Sequence, residues 1–170
     1  MSQRDSGYER KERDLYETPE WVTECLLPHI PRRVRRIWEP ACATGKMVAP
    51  LRAAGFDVTG TDIDQGLHGD FLRARVESDA IVTNPPYALA KQFIERALDL
   101  ADFVAMLLRT DYDHAKTRRH LFADNPAFSK KLVLTTRIRW FEGGKSPSFN
   151  HAWFVWDKNH TGPAHIAYGP

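Results

Sequence analysis

Short apolar runs alternate along the chain with stretches in which apolar residues recur at helical spacing. Ala80-Ile81-Val82 and Phe103-Val104-Ala105-Met106-Leu107-Leu108 are almost wholly hydrophobic, as strands are when a sheet is covered on both faces. Ile37-Trp38 and residues 56–61 read as two further strands. Residues 131–140 and 152–157 read as a terminal pair joined by a connection rich in Gly, Ser and Pro. Between these, Trp21, Val22, Cys25 and Leu26 keep a helical period up to Pro28, with Thr18 expected to cap the helix and Pro19 in its first turn. A second helix is expected between Gly45 and Gly55, kinked at Pro50. A third is expected over residues 88–100, with Leu89, Phe93 and Ala97 on one face beside Ala90 and Ile94. Strands and helices in this alternation predict a Rossmann-like α/β fold: a mostly parallel sheet with helices on both faces and a C-terminal antiparallel strand pair. Residues 1–14 are polar and mixed in charge, which predicts a flexible N-terminal arm ahead of a single domain over residues 15–170.

Chemistry concentrates where the third apolar run ends, at Thr83-Asn84-Pro85-Pro86-Tyr87. Pro85 and Pro86 have no N–H, and each biases its predecessor toward extended backbone, so carbonyls here stay available beside the Asn84 amide oxygen. Two acceptors side by side suit both hydrogens of a planar amino group, and Tyr87 offers a flat face to the ring that carries it. A rigid turn closing a strand would use the same prolines.

Two earlier turns carry a different signature. Glu39-Pro40-Ala41-Cys42-Ala43-Thr44-Gly45-Lys46 lies between a strand and a helix, with small residues where backbone must approach a ligand closely. Asp62 ends the next strand, where an acid can accept both hydroxyls of a ribose. Asp70-Phe71 follows, a carboxylate expected at a strand tip facing an amino group, with Ile63 or Phe71 packing on the ring. Singly, each acid also reads as a helix cap or turn former.

Composition bounds the rest. The chain has 170 residues, 42% hydrophobic, enough for a real core. Two cysteines and seven scattered histidines show no metal-ligand spacing, so no metal is expected, and His151 reads as a packed or exposed histidine rather than a catalyst. No apolar run reaches about 18 residues and no leader pattern is present, so no membrane contact and a cytoplasmic location are expected. The net charge of +2 hides a basic segment: residues 109–145 hold nine Lys/Arg against four acids. Such a bias attracts a polyanion, although a solvated face gives the same pattern.

Taken in chain order, these residues resemble the class I S-adenosylmethionine-dependent amino-methyltransferases with an Asn-Pro-Pro-Tyr motif, best known as DNA adenine N6-methyltransferases. The resemblance covers most of residues 16–157. Tyr16-Glu17-Thr18-Pro19 is similar to the segment before the family's cofactor loop, and residues 39–45 are similar to that loop. Asp62 matches its ribose-binding acid, Asp70-Phe71 its adenine-side contact, and residues 84–87 its catalytic motif. Residues 38–47 and 152–156 resemble small phage- and prophage-encoded members.

The resemblance implies a seven-stranded sheet, S-adenosyl-L-methionine as cofactor and S-adenosyl-L-homocysteine as product. It implies cofactor contacts from Tyr16, Thr18, Glu39, Pro40, Ala41, Gly45, Asp62, Ile63, Asp70, Phe71 and Asn84, and catalysis by Asn84, Pro85, Pro86 and Tyr87. The expected substrate is nucleic acid, DNA before RNA. Beside Tyr87, a second aromatic wall is expected from Phe149, with Trp140 as the other choice, while Trp140, Trp153 and Trp156 read first as core. Lys145, Arg118 and Arg119 are expected to meet phosphate, as are Arg137 and Arg139, which in an extended strand share one face with Lys131. Ala43 departs from the family, whose loop has glycine there; a methyl group is tolerated at negative φ. No residues remain for a target-recognition domain, so specificity is expected to be low or supplied by a partner or a homodimer. RNA adenine, a protein glutamine amide and a binding protein without catalysis remain alternatives.

Overall fold

The structure, a computed structural model, describes residues 17–63, 70–140 and 149–170. The expected arm, Tyr16 and Lys145 lie outside the described residues. The strands are β1 (Arg36–Glu39), β2 (Asp57–Gly60), β3 (Ala80–Thr83), β4 (Phe103–Arg109), β5 (Phe128–Leu134), β6 (His151–Asp157) and β7 (His165–Gly169). They form one sheet in the order β2-β1-β3-β4-β6-β5-β7. β1 pairs in parallel with β2 and β3, and β3 with β4; β6 runs antiparallel to both β4 and β5, and β7 is parallel to β5.

Among the described residues three α-helices accompany the sheet: α1 (Glu20–Leu26), α2 (Val48–Ala53) and α3 (Ala90–Leu100). Burial on both sheet faces explains the uniform hydrophobicity of β4. Phe103, Ala105 and Leu107 join Val22, Leu26 and Leu51 of α1 and α2 in one cluster. Val104, Met106 and Leu108 join Phe93, Ile94 and Ala97 of α3 in the other. The two-residue period of a strand sorts alternate side chains to opposite helices. Trp38, Trp153 and Trp156 are fully buried. Each indole N–H finds an acceptor, respectively Thr61 Oγ1 at 2.8 Å, the Val22 carbonyl at 2.8 Å and the Leu121 carbonyl at 2.6 Å, so none leaves a buried polar atom unpaired.

Several expectations change. Pro19, not Thr18, is the N-cap of α1, and Thr18 is buried without capping the helix. Pro50 falls in the first turn of α2, where an N–H has no intrahelical partner to lose, so no kink is required. Leu89 is 38% exposed and outside the buried face of α3. Asp70 begins a turn rather than ending a strand, accepting the Leu72 N–H through its side chain and the Ala74 N–H through its backbone. The strand expected over residues 131–140 ends at Leu134. Beyond it, the Thr136 N–H turns to the Pro170 carbonyl, and Arg137 and Arg139 do not share a strand face with Lys131. The seventh strand, β7, comes from the tail.

Placement of the site follows from strand order. The chain adds β2 on one side of β1 and β3 on the other, so direction reverses between β1 and β3. Loops leaving the C-terminal ends of those strands diverge, and the crevice between them is where open α/β sheets bind ligands.

Candidate functional site

One wall of that crevice is backbone. After Glu39 the chain bonds to its neighbour strand, with the Thr61 N–H donating to the Glu39 carbonyl at 2.9 Å and the Cys42 N–H to the Thr61 carbonyl at 3.0 Å. The turn closes through the Gly45 N–H on the Cys42 carbonyl at 2.7 Å. It requires left-handed backbone twice, at Gly45 (φ +90°) and at Ala43 (φ +44°). Ala43 therefore does not have the negative φ that would make its methyl group innocuous; its N–H donates to Asp62 Oδ2 at 2.9 Å, tying the loop to the end of β2. Glycine at position 60 lets the neighbours close in: a Cβ there would lie 3.0 Å from Val48 Cγ2 and 3.2 Å from Cys42, and those side chains would have to give by a few tenths of an ångström.

Glu39 sits beneath this turn, 1% exposed. The Ala41 N–H, at 2.9 Å, and the Thr83 hydroxyl both donate to its Oε1. Its Oε2 is buried with no hydrogen-bond partner among the described residues. Burial lifts its pKa to about 8, against the two hydrogen bonds and helped by the nearby Asp62. The same surroundings, burial first, raise Cys42 to about 11, so its thiol stays protonated. From the N-terminal side, Glu17 accepts the Thr44 hydroxyl and pairs with Lys46 at 2.8 Å, interactions that hold its carboxyl below the usual range. A cavity results that is lined by Glu17, Thr18, Glu39, Ala41, Lys46 and Asn84, among others. It brings the turn after β1 together with the first residue of the Asn-Pro-Pro-Tyr motif.

The remaining expected cofactor residues divide. Asp62 is buried at the rim, and Ile63 beside it is 65% exposed. Phe71 is 2% exposed, its ring against Trp38 and Phe93 at 5.0 and 4.6 Å, so that side chain belongs to the core and Ile63 is the apolar surface open to a ring.

Beyond the cavity the motif continues into a turn. The Pro86 carbonyl takes the Leu89 N–H at 2.9 Å, and Tyr87 opens the short 3-10 segment Tyr87–Leu89. The Tyr87 hydroxyl lies 2.9 Å from His151 Nε2, at the start of β6. His151 is 3% exposed. Burial, then Arg109 directly across the ladder, lowers its pKa to about 4, so the imidazole is neutral at physiological pH. Trp140 meets it edge-on at 5.2 Å. Phe149 stands at the same mouth with the Arg109 guanidinium 3.9 Å over its ring.

The basic residues are less concentrated than their sequence spacing implies. Arg118 lies over Tyr112 at 3.9 Å, and Arg119 pairs with Asp124 at 3.0 Å, both in the 3-10 segment Lys116–Leu121. Lys131 bonds the Thr110 carbonyl at 2.7 Å and pairs with Asp113 at 2.9 Å. A separate groove is lined by Lys131, Arg137, His114, Thr110 and Asn150. His151, Arg109, Glu17 and Lys46 complete the site without having been singled out for it. For His151 the only sequence signal was its place at the head of an expected strand, and only the sheet order brings it to Tyr87.

No family model matches the chain, and no curated protein matches it in sequence. Solved structures do share its fold. A Listeria monocytogenes protein assigned to the class I S-adenosylmethionine-dependent methyltransferases superposes with a TM-score of 0.66 at 14% identity, covering 90% of this chain and 65% of its own. A methyltransferase subunit of a type I restriction-modification system from Streptococcus thermophilus gives 0.64 at 12%, over 86% of this chain and 45% of that one. A dimethyladenosine transferase from Plasmodium falciparum gives 0.55 at 14%, over 84% and 62%. The chain thus spans less than two thirds of each of these three proteins. Identity this low carries the fold alone: the sheet is that of the class I methyltransferases.

Proposed function

We propose that the chain is an S-adenosylmethionine-dependent methyltransferase whose substrate is the exocyclic N6 amine of adenine in nucleic acid, in the first place DNA. The observation that carries this reading is a cavity lined both by the turn after β1 and by Asn84, because methyl transfer requires donor and acceptor to meet at one point. The residues present fit the cofactor. Glu39 lines the cavity and has a buried carboxyl oxygen without a hydrogen-bond partner among the described residues, which suits the cationic amino acid moiety of the cofactor, Asp62 is suited to ribose hydroxyls, and Ile63 offers exposed apolar surface to a purine. When bound, the cofactor supplies a methyl group made electrophilic by a sulfonium.

The chain's own part is to hold and orient. An aromatic amine spreads its lone pair into the ring and is a weak nucleophile, so alignment contributes more than a strong base. Asn84 Oδ1 and the Pro85 carbonyl accept the two N6 hydrogens, which points the remaining lone pair toward the cofactor side of the crevice. Proton loss follows alkylation and can go to water. His151, neutral and buried, is committed to Tyr87 and is not assigned as a base. A target within a duplex has to be extruded at a cost of a few kcal/mol, partly offset by stacking on Tyr87 and Phe149. Arg118, Arg119, Arg137 and Arg139 are assigned to the backbone phosphates, Arg118 and Arg119 by exchanging their present contacts with Tyr112 and Asp124.

The test is transfer of labelled methyl from S-adenosylmethionine to separate pools of single-stranded DNA, duplex DNA, RNA and protein, followed by nucleoside identification. Label in N6-methyladenine of DNA is the expected result. Label confined to RNA would move the substrate, label confined to protein would favour a glutamine amide, and cofactor binding without transfer to any pool would overturn the enzymatic reading.

A further inference from the structure

We infer that His151 is the positioning residue of the target-base site, acting by holding the Tyr87 hydroxyl so that the stacking ring is set before the base arrives. The inference rests on the function proposed above and adds a residue that neither the motif nor the cofactor loop contains. It stands on geometry. A histidine that only fills a core can satisfy its ring nitrogens with nearby backbone; here Nε2 meets a side-chain hydroxyl 64 residues away in sequence, across the end of β4. The imidazole is held by packing, buried at the head of β6, paired in register with Arg109 and faced edge-on by Trp140 at 5.2 Å, with Tyr87 its hydrogen-bond partner and Nδ1 without one among the described residues. Its ring and that of Tyr87 are 6.4 Å apart, tilted by 36°.

The reason for such a tether lies in where Tyr87 stands. It begins a single 3-10 turn immediately after two prolines, without a regular helix to restrict its rotamer. A stacking side chain that has to be ordered when substrate binds costs affinity at that moment, and one ordered beforehand does not. The hydrogen bond fixes the far end of the ring axis, and because a phenolic O–H prefers the ring plane, it also biases that plane. A neutral imidazole can do this as acceptor or, in the other tautomer, as donor.

The experiment compares parent protein, His151→Ala, His151→Gln, Tyr87→Phe and the double variant His151→Ala with Tyr87→Phe. Methyl transfer is measured on the pool that accepts label, with cofactor affinity by calorimetry and base extrusion by 2-aminopurine fluorescence at the target position. Losing one hydrogen bond predicts about a tenfold fall in kcat/KM for His151→Ala and for Tyr87→Phe. The double variant should be no worse than either, His151→Gln should recover part of the loss, cofactor affinity should be unchanged, and 2-aminopurine brightening should be reduced. Full activity in Tyr87→Phe would overturn the inference even if His151→Ala fails to fold, and where the single variants fold, losses that multiply in the double variant would overturn it too. Absence of transfer by the parent protein overturns the proposed function, and this inference with it.

Discussion

The two halves of the site are built in different currencies. Around the cofactor loop, the shape is backbone: two left-handed residues, Ala43 and Gly45, a glycine at 60 where a Cβ would crowd Val48 and Cys42, and N–H groups aimed at Glu39 and Asp62. At the base-facing mouth, the shape is side chains distant in sequence, Tyr87, Arg109, Trp140, Phe149 and His151, brought together by the β3-β4-β6 order. Each half also buries an ionisable group held neutral, a carboxyl on one side and an imidazole on the other. A backbone-built site is local in sequence and tolerant of side-chain change; a side-chain-built one is set by register and sensitive to single substitutions.

The buried pair gives the largest way to separate the halves, because the two groups respond to pH in opposite directions. Glu39 keeps its proton in the folded state up to about pH 8, while the unfolded chain releases it near 4.5. Its contribution to stability is therefore complete below pH 4.5 and disappears as pH rises through 8, by up to about 5 kcal/mol on full titration. Glu39→Gln should flatten that slope, make the protein more stable than the parent at pH 8 in urea titration, and weaken S-adenosylmethionine binding. Parallel pH profiles for the two proteins would show that Glu39 is ionised in the fold, and the comparison would lose one side.

His151 supplies the other sign and a smaller effect. Its folded pKa of about 4 lies below the unfolded 6.5, so its contribution is complete above pH 6.5 and is lost as pH falls through 4, by about 3 kcal/mol at most. Arg109 opposes the charged form and Asp111 favours it, so the comparison belongs at constant salt. His151→Gln should remove this part of the acid limb while leaving the alkaline limb to Glu39. An unchanged acid limb would mean that the imidazole is already protonated or solvated near neutrality.

Next comes a division of labour in catalysis. Asn84→Ala should lower kcat about a hundredfold with cofactor affinity retained, as for loss of one oriented polar contact at a reacting group. Asp62→Ala should instead raise the cofactor Kd by about tenfold, a consequence of one or two lost charge-assisted hydrogen bonds. If both substitutions moved Kd and neither moved kcat, the halves would form one binding surface and Asn84 would have no role in orienting the amine.

What was legible in the sequence follows the same divide. The places of loop 39–46 after β1, of Asp62 after β2 and of residues 84–87 after β3 could be read because each follows directly from a strand pattern and its own turn residues. The parallel strands and α3 were legible from periodicity. The end of β5 was not, because residues 135–140 keep an alternating pattern with Ile138 buried while the Thr136 N–H leaves the ladder for Pro170. β7 was missed since an edge strand with Ile166 60% and Tyr168 71% exposed has no buried face to give it a pattern. Phe71 was assigned to a ligand ring although Trp38 and Phe93 already enclose it. The Tyr87–His151 bond could not be read at all, for it depends on β6 lying next to β4.

Ala43 offers the smallest effect and the most local test of the backbone-built half. Its φ of +44° places a Cβ near the following carbonyl oxygen, at a cost of roughly 1 kcal/mol that glycine avoids. Ala43→Gly removes that strain but also gives the unfolded chain more freedom, which takes back part of the gain. A net stabilisation of about 0.5 kcal/mol is expected, a rise of one or two degrees in Tm for a chain of this size. The Ala43 N–H keeps its bond to Asp62 Oδ2 at 2.9 Å either way, so cofactor affinity should hold or improve. A loss of stability would show that the turn has negative φ at this position in solution; the N–H would then point elsewhere, and Asp62 would not be oriented by the loop.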